Sequence, residues 1–148
     1  MPERSPPVVF ISSTSEDLKP HRKAVRDAAL AAGFHPRMME YFPAGGNPPL
    51  DECLARVSGS RHEAPARLLI ALVAHRYGWV PEGRDLSITW LECREAVEKG
   101  LDILAFLVDE KAEWPDKLKE EHRIAEAVTQ GTAIPELLLA ASRTKRKT

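Results

Sequence analysis

Leu68-Leu69-Ile70-Ala71-Leu72-Val73-Ala74 is an unbroken apolar run, and it leads into His75-Arg76-Tyr77-Gly78-Trp79 and then Ser87-Ile88-Thr89-Trp90-Leu91-Glu92. A run without polar alternation suits a strand covered on both faces, which places it at the centre of a parallel sheet. The polar loop and helix that follow lead to another apolar run, Ile103 to Val108. In a strand–loop–helix–strand alternation, ligands bind at the loops on the carboxyl ends of the strands. This loop and helix start concentrate Arg76, Tyr77, two tryptophans and a carboxylate, so a site is expected here.

Working towards the N-terminus, the same alternation recurs. Val8-Val9-Phe10-Ile11, entered through two prolines, reads as a buried strand ending in Ser12-Ser13-Thr14-Ser15. Ser13 and Glu16 have capping-box spacing, which predicts a helix beginning there with acids in its first turn. Its apolar residues Val25, Ala28, Ala29 and Ala32 lead to Gly33, a C′ glycine. Phe34 to Met39 is a strand interrupted by Pro36, hence an edge strand. Glu40 to Pro49 is turn-rich with Tyr41 and Phe42 at its root, and Leu50 to Val57 is a short amphipathic helix.

Towards the C-terminus, Cys93, Ala96, Val97 and Gly100 fall together at helical period and mark the face expected on the sheet. Glu92 lies at the flank of that face, where the first turn of the helix and its dipole favour an ionised carboxylate. Such a group accepts hydrogen bonds from sugar hydroxyls or stabilises an oxocarbenium-like centre; a glutamate that only complements the dipole is the alternative. After Trp114-Pro115 a charged amphipathic helix is expected from about Asp116, and Pro135 to Ala141 adds a turn or two. The resulting βαβαβαβα order predicts an α/β fold, a parallel sheet with helices on both faces. Residues 1–7 read as an extension, 8–141 as a single domain, and 142–148 as a basic disordered tail or linker to a following domain.

Bulk properties narrow the function classes. The chain has 148 residues, 43% hydrophobic and 29% charged, with a net charge of −1. One domain of this size buries roughly 70% of its unfolded surface, and its charge gives no reason to expect a nucleic-acid or membrane partner. The two cysteines, Cys53 and Cys93, sit on apolar helix faces as small core residues, which fits a cytoplasmic setting. Five histidines lack ligand spacing and no CxxC occurs, so no metal site is expected. No Walker lysine motif, GxGxxG or GxSxG elbow is present.

Other candidate residues carry two readings each. Ser12 and Ser13 line a cleft at the end of the first strand or cap the following helix. Arg76 holds a phosphate through its planar fork or pairs with Glu82 or Asp85. Tyr77, Trp79 and Trp90 stack on a base or plug a loop, and Tyr41 and Phe42 wall a cleft or anchor a loop.

Four ordered stretches, Val9 to Leu18, Met39-Glu40-Tyr41-Phe42-Pro43, His75-Arg76-Tyr77-Gly78 and Thr89 to Gly100, resemble a known family. It is the TIR-like domain of unknown function found at the N-terminus of STAND (NLR-like) NTPases and related bacterial proteins. The resemblance spans roughly Val8 to Val108. It implies a flavodoxin-like (TIR-like) three-layer α/β fold with a parallel sheet of four to five strands, shared with TIR domains and nucleoside 2-deoxyribosyltransferases, in which a glutamate at the start of the helix after the central strand acts on the ribose of NAD or a nucleoside. Glu92 matches that position, with Ser12, Ser13, Arg76, Tyr77, Trp90, Tyr41 and Phe42 as the implied substrate-binding set. The resemblance thus implies NAD as a substrate rather than a bound cofactor, and self-association, with a downstream domain or partner protein, as the trigger. A non-enzymatic association domain and a deoxyribosyltransferase with Glu92 as nucleophile are the alternatives.

Overall fold

The computed structural model describes residues 4–14, 17–38, 50–78, 80–81 and 83–119. Its elements alternate as the apolar runs require: β1 (Val8–Ser13), α1 (Lys19–Ala31), β2 (His35–Met38), α2 (Leu50–Ser58), β3 (Leu68–Val73), α3 (Ile88–Glu98), β4 (Asp102–Leu107), and a 3₁₀ turn at Asp116–Leu118. The strands form one parallel sheet in the order β2-β1-β3-β4. This is the flavodoxin-like order, with the apolar β3 inside the sheet and the proline-bearing β2 at an edge.

Alternation along β1 and β3 separates two apolar layers. Val8, Phe10, Leu69 and Ala71 pack with Val57 of α2 and Ala96 of α3. Val9, Ile11, Ile70 and Leu72 pack with Leu18 and with Val25 and Ala29 of α1. Helices therefore cover both faces of the sheet.

Glycine ends two helices in the same way. Gly33 has φ +83°, and the amides of Gly33 and Phe34 donate to the carbonyls of Leu30 and Ala29. Gly100 at φ +71° repeats the arrangement, with Gly100 and Leu101 donating to Val97 and Ala96. These are Schellman closures, which need a residue tolerant of positive φ.

The structure corrects two sequence expectations here. Helix α1 starts at Lys19, with no side-chain cap and no acid in its first turn. Proline fits a helix only in its first turn, so Pro20 moves the start beyond the Ser13 spacing, and Ser13 instead ends β1. On α3, Cys93 and Ala96 pack against the sheet core as expected, but Glu92 is buried with them and Val97 is 66% exposed. The expected helix beyond Asp116 begins as a 3₁₀ turn; its continuation lies outside the described residues.

Candidate active site

Helix α1 leaves β1 on one face of the sheet and α3 leaves β3 on the other, so the adjoining carboxyl ends of β1 and β3 form a topological switch point. Among the described residues, the buried polar side chains are Ser12, Asp17, Arg22, Ser87, Thr89 and Glu92. Every one belongs to the end of β1, the start of α1 or the start of α3. Buried polar groups are costly unless bonded, so their collection at one end of the sheet marks the site.

Glu92 is its centre. Ser87 caps α3, its hydroxyl oxygen accepting from the Trp90 amide at 3.5 Å. Thr89, Glu92 and Ala96 then follow at three- and four-residue intervals and share the face turned to the sheet. Glu92 is 3% exposed. Its Oε1 accepts a hydrogen bond from Ser12 Oγ at 3.0 Å, and its Oε2 has no hydrogen-bond partner among the described residues. The buried Oγ1 of Thr89, one turn earlier on the same face, likewise has none.

Burial pushes the Glu92 carboxyl from its ordinary value of 4.5 up to about 8, against the opposing pull of the Ser12 hydrogen bond and the Arg22 charge. At pH 7 the protonated form is therefore favoured. This overturns the expectation of an ionised first-turn carboxylate. Glu92 lies one turn further into the helix, where the dipole has faded and desolvation dominates. The same burial raises the thiols of Cys53 and Cys93, and the Glu92 charge raises both further.

The other face of the strand end is held by a residue that the sequence reading did not single out. Arg22 of α1 is 4% exposed, and its Nη1 donates to Ser13 Oγ at 2.6 Å and to the Ser13 carbonyl at 3.2 Å. Thr14 Oγ1 donates to Asp17 Oδ1 in the turn between them. A readable signal for Arg22 existed: it interrupts the apolar stripe Leu18, Val25, Ala29 at helical spacing.

The loop after β3 returns to the same place. Gly78 has φ +94°, and a Cβ there would lie 3.0 Å from Thr14 Cγ2 and 3.9 Å from Thr89 Oγ1. Glycine thus allows the backbone to pass close over the β1–α1 turn. Arg76 and Tyr77 sit half-buried on this loop, each already engaged in an interaction. Trp114, from the segment after β4, stacks on His21 with ring centroids 5.3 Å apart and lies 5.7 Å from His75.

The structure thus joins Ser12 to Glu92 and sets Ser13 on the opposite face. Trp90 is separated from Glu92: two positions along a helix are about 200° apart, and its side chain is 54% exposed. Tyr41 and Phe42 lie outside the described residues, as do Trp79 and the rest of the stretch from Glu40 to Pro49. An open cleft of about 700 Å³ exists at the other end of the sheet, lined by Pro6, Pro7, Gly33, Pro65 and two arginines. It contains none of the buried polar side chains and faces the amino ends of the strands, so it is a surface groove remote from the site.

A parallel sheet ordered β2-β1-β3-β4, with a buried carboxyl at the β1/β3 switch point, defines a flavodoxin-like α/β protein whose polar centre lies between its two helical layers. The chain belongs to the family described as domain of unknown function DUF4062, whose profile matches residues 8–137. No curated protein matches the chain. Among the described residues, no helix is long and apolar enough to cross a membrane.

Proposed function

We propose that this domain is a TIR-like effector that cleaves the N-glycosidic bond of NAD, or a related nucleotide, when clustered within a signalling or defence protein of the STAND class. The observation that carries the reading is Glu92: a carboxyl at the switch point, one oxygen held by Ser12 and the other without a hydrogen-bond partner among the described residues. A buried, half-satisfied carboxyl weakens the fold, and such groups concentrate at functional sites.

In the reaction, the bond from ribose C1 to the nicotinamide nitrogen breaks and its electron pair leaves with nicotinamide. Water then adds to C1 and releases a proton. The leaving group is already cationic and needs no acid. Carboxylate is therefore the useful form of Glu92, stabilising positive charge at C1. A cationic pyridinium nearby would draw the raised carboxyl towards that form. Substrate contact with a group that is 3% exposed requires its cover to shift, a step that clustering supplies in this reading.

The test is nicotinamide release from NAD by the concentrated, purified chain, with Glu92→Gln alongside. Release that vanishes in the variant without loss of thermal stability supports the glycohydrolase. Equal release from both chains removes Glu92 from the chemistry. No release from either, with self-association present, favours a non-enzymatic association domain, a reading to which the exposed Trp90 and Val97 of α3 lend support.

A further inference from the structure

Ser12 and Ser13 are consecutive strand residues, so their side chains leave opposite faces of the sheet. Ser12 Oγ donates to Glu92 Oε1 in the α3 layer at 3.0 Å. Ser13 takes the Arg22 guanidinium in the α1 layer on both its hydroxyl oxygen and its carbonyl, at 2.6 and 3.2 Å. The Ser13 hydroxyl in turn donates to the Thr14 carbonyl at 2.9 Å, so the same side chain also holds the turn that leaves β1. A guanidinium set into an apolar helix stripe is costly to desolvate. Here Nη1 directs both of these bonds to Ser13, the residue that follows Ser12 in the strand.

We propose that Arg22 is a positioning residue for Glu92. By clamping Ser13 from one side of the sheet, it fixes where Ser12 presents its hydroxyl to the carboxyl on the other. The groups facing Glu92 are Ser12 from β1, the Arg22 charge from α1, and the thiols of Cys53 from α2 and Cys93 from its own helix. Releasing the clamp loosens the Ser12 bond and removes the positive charge, and both changes favour the protonated carboxyl. This inference rests on Glu92 being the acting group of the proposed function, but its readout is titration and needs no turnover.

The experiment follows glutamate side-chain carboxyl carbons by NMR against pH in the full ¹³C-labelled chain, with Glu92→Gln identifying the Glu92 signal. Ser12→Ala and Arg22→Met are expected to move the Glu92 midpoint upward by roughly half a unit or more. Ser13→Ala, which keeps the guanidinium and the carbonyl bond, is expected to move it the same way by less. Arg22→Met and Ser13→Ala chains that melt like the wild type and titrate Glu92 at the wild-type midpoint overturn the proposal. If Arg22→Met does not fold, Ser13→Ala decides, and an unmoved midpoint there overturns it equally. A midpoint that moves in a chain releasing no nicotinamide keeps the clamp and discards the glycohydrolase; release with an unmoved midpoint does the reverse.

Discussion

Two regions of this protein break the rule of apolar inside and polar outside, in opposite directions. Around the carboxyl ends of β1 and β3, six polar or charged side chains are buried among the described residues. Along β4, Ile103, Leu104, Phe106 and Leu107 are exposed, Leu107 to 74%. Both regions carry a free-energy cost, since buried polar groups lose hydration and exposed apolar groups keep water ordered around them. The polar end is cross-linked by Ser12–Glu92, Arg22–Ser13 and Thr14–Asp17 hydrogen bonds, which makes it specific in geometry. The exposed apolar side chains of β4 leave both faces of the sheet edge, Ile103 and Leu107 on one and Leu104 and Phe106 on the other, and have only area. The first is built as a chemical site, whereas the second is apolar area left uncovered by the described residues.

The largest expected effect lies in the apolar core beneath the polar end, for which the exposed Phe106 of β4 is a comparison of the same residue type. Phe10, fully buried in the centre of β1, should cost about 3–5 kcal/mol when changed to Ala, measured by urea denaturation. Next comes the pH dependence of the site. Glu92 has a folded value near 8 against an ordinary 4.5, so the folded state holds its proton more tightly than the unfolded chain. Its favourable contribution is fully present below pH 4.5 and is lost as pH rises towards 8. Glu92→Gln, which cannot ionise, should therefore gain roughly 2–4 kcal/mol relative to wild type between pH 5 and 9. A constant difference between the two chains across that range would mean that Glu92 is solvated.

Smaller effects sharpen the geometry. Gly78→Ala meets both a positive φ and Thr14 at 3.0 Å, and should cost about 2 kcal/mol while displacing the Thr14 turn. Gly33→Ala has nothing within 4 Å of the added methyl, so only the backbone strain of about 1 kcal/mol remains. Equal costs at the two positions would deny the close approach over the site. The smallest effect should be Phe106→Ala, 52% exposed, within about 0.5 kcal/mol. A loss above about 2 kcal/mol there would show that this face of β4 is covered in solution and would end the contrast.

The elements were legible in the sequence where a local rule decides them. The unbroken apolar run of β3 reads as a doubly covered strand, and Pro36 marks an edge strand. Gly33 and Gly100 stand where two helices must turn through positive φ. The start of α1 was misread because two local signals conflict, and the ring of Pro20 outranks a capping spacing. The site was half legible. Glu92 stood out by its place after the central strand, but its face and its proton did not follow from spacing.

The sequence by itself therefore determined a parallel α/β domain, the order of its elements and the strand ends where polar residues gather. These depend on periodicity and on backbone limits that act over a few residues. Only the tertiary structure decided that Glu92 is buried and largely protonated, that its partner is Ser12, 80 positions away in the chain, and that Arg22 grips the other side of the same strand end. Desolvation and long-range hydrogen bonds depend on which layers meet across the sheet, and no local window of residues contains that information.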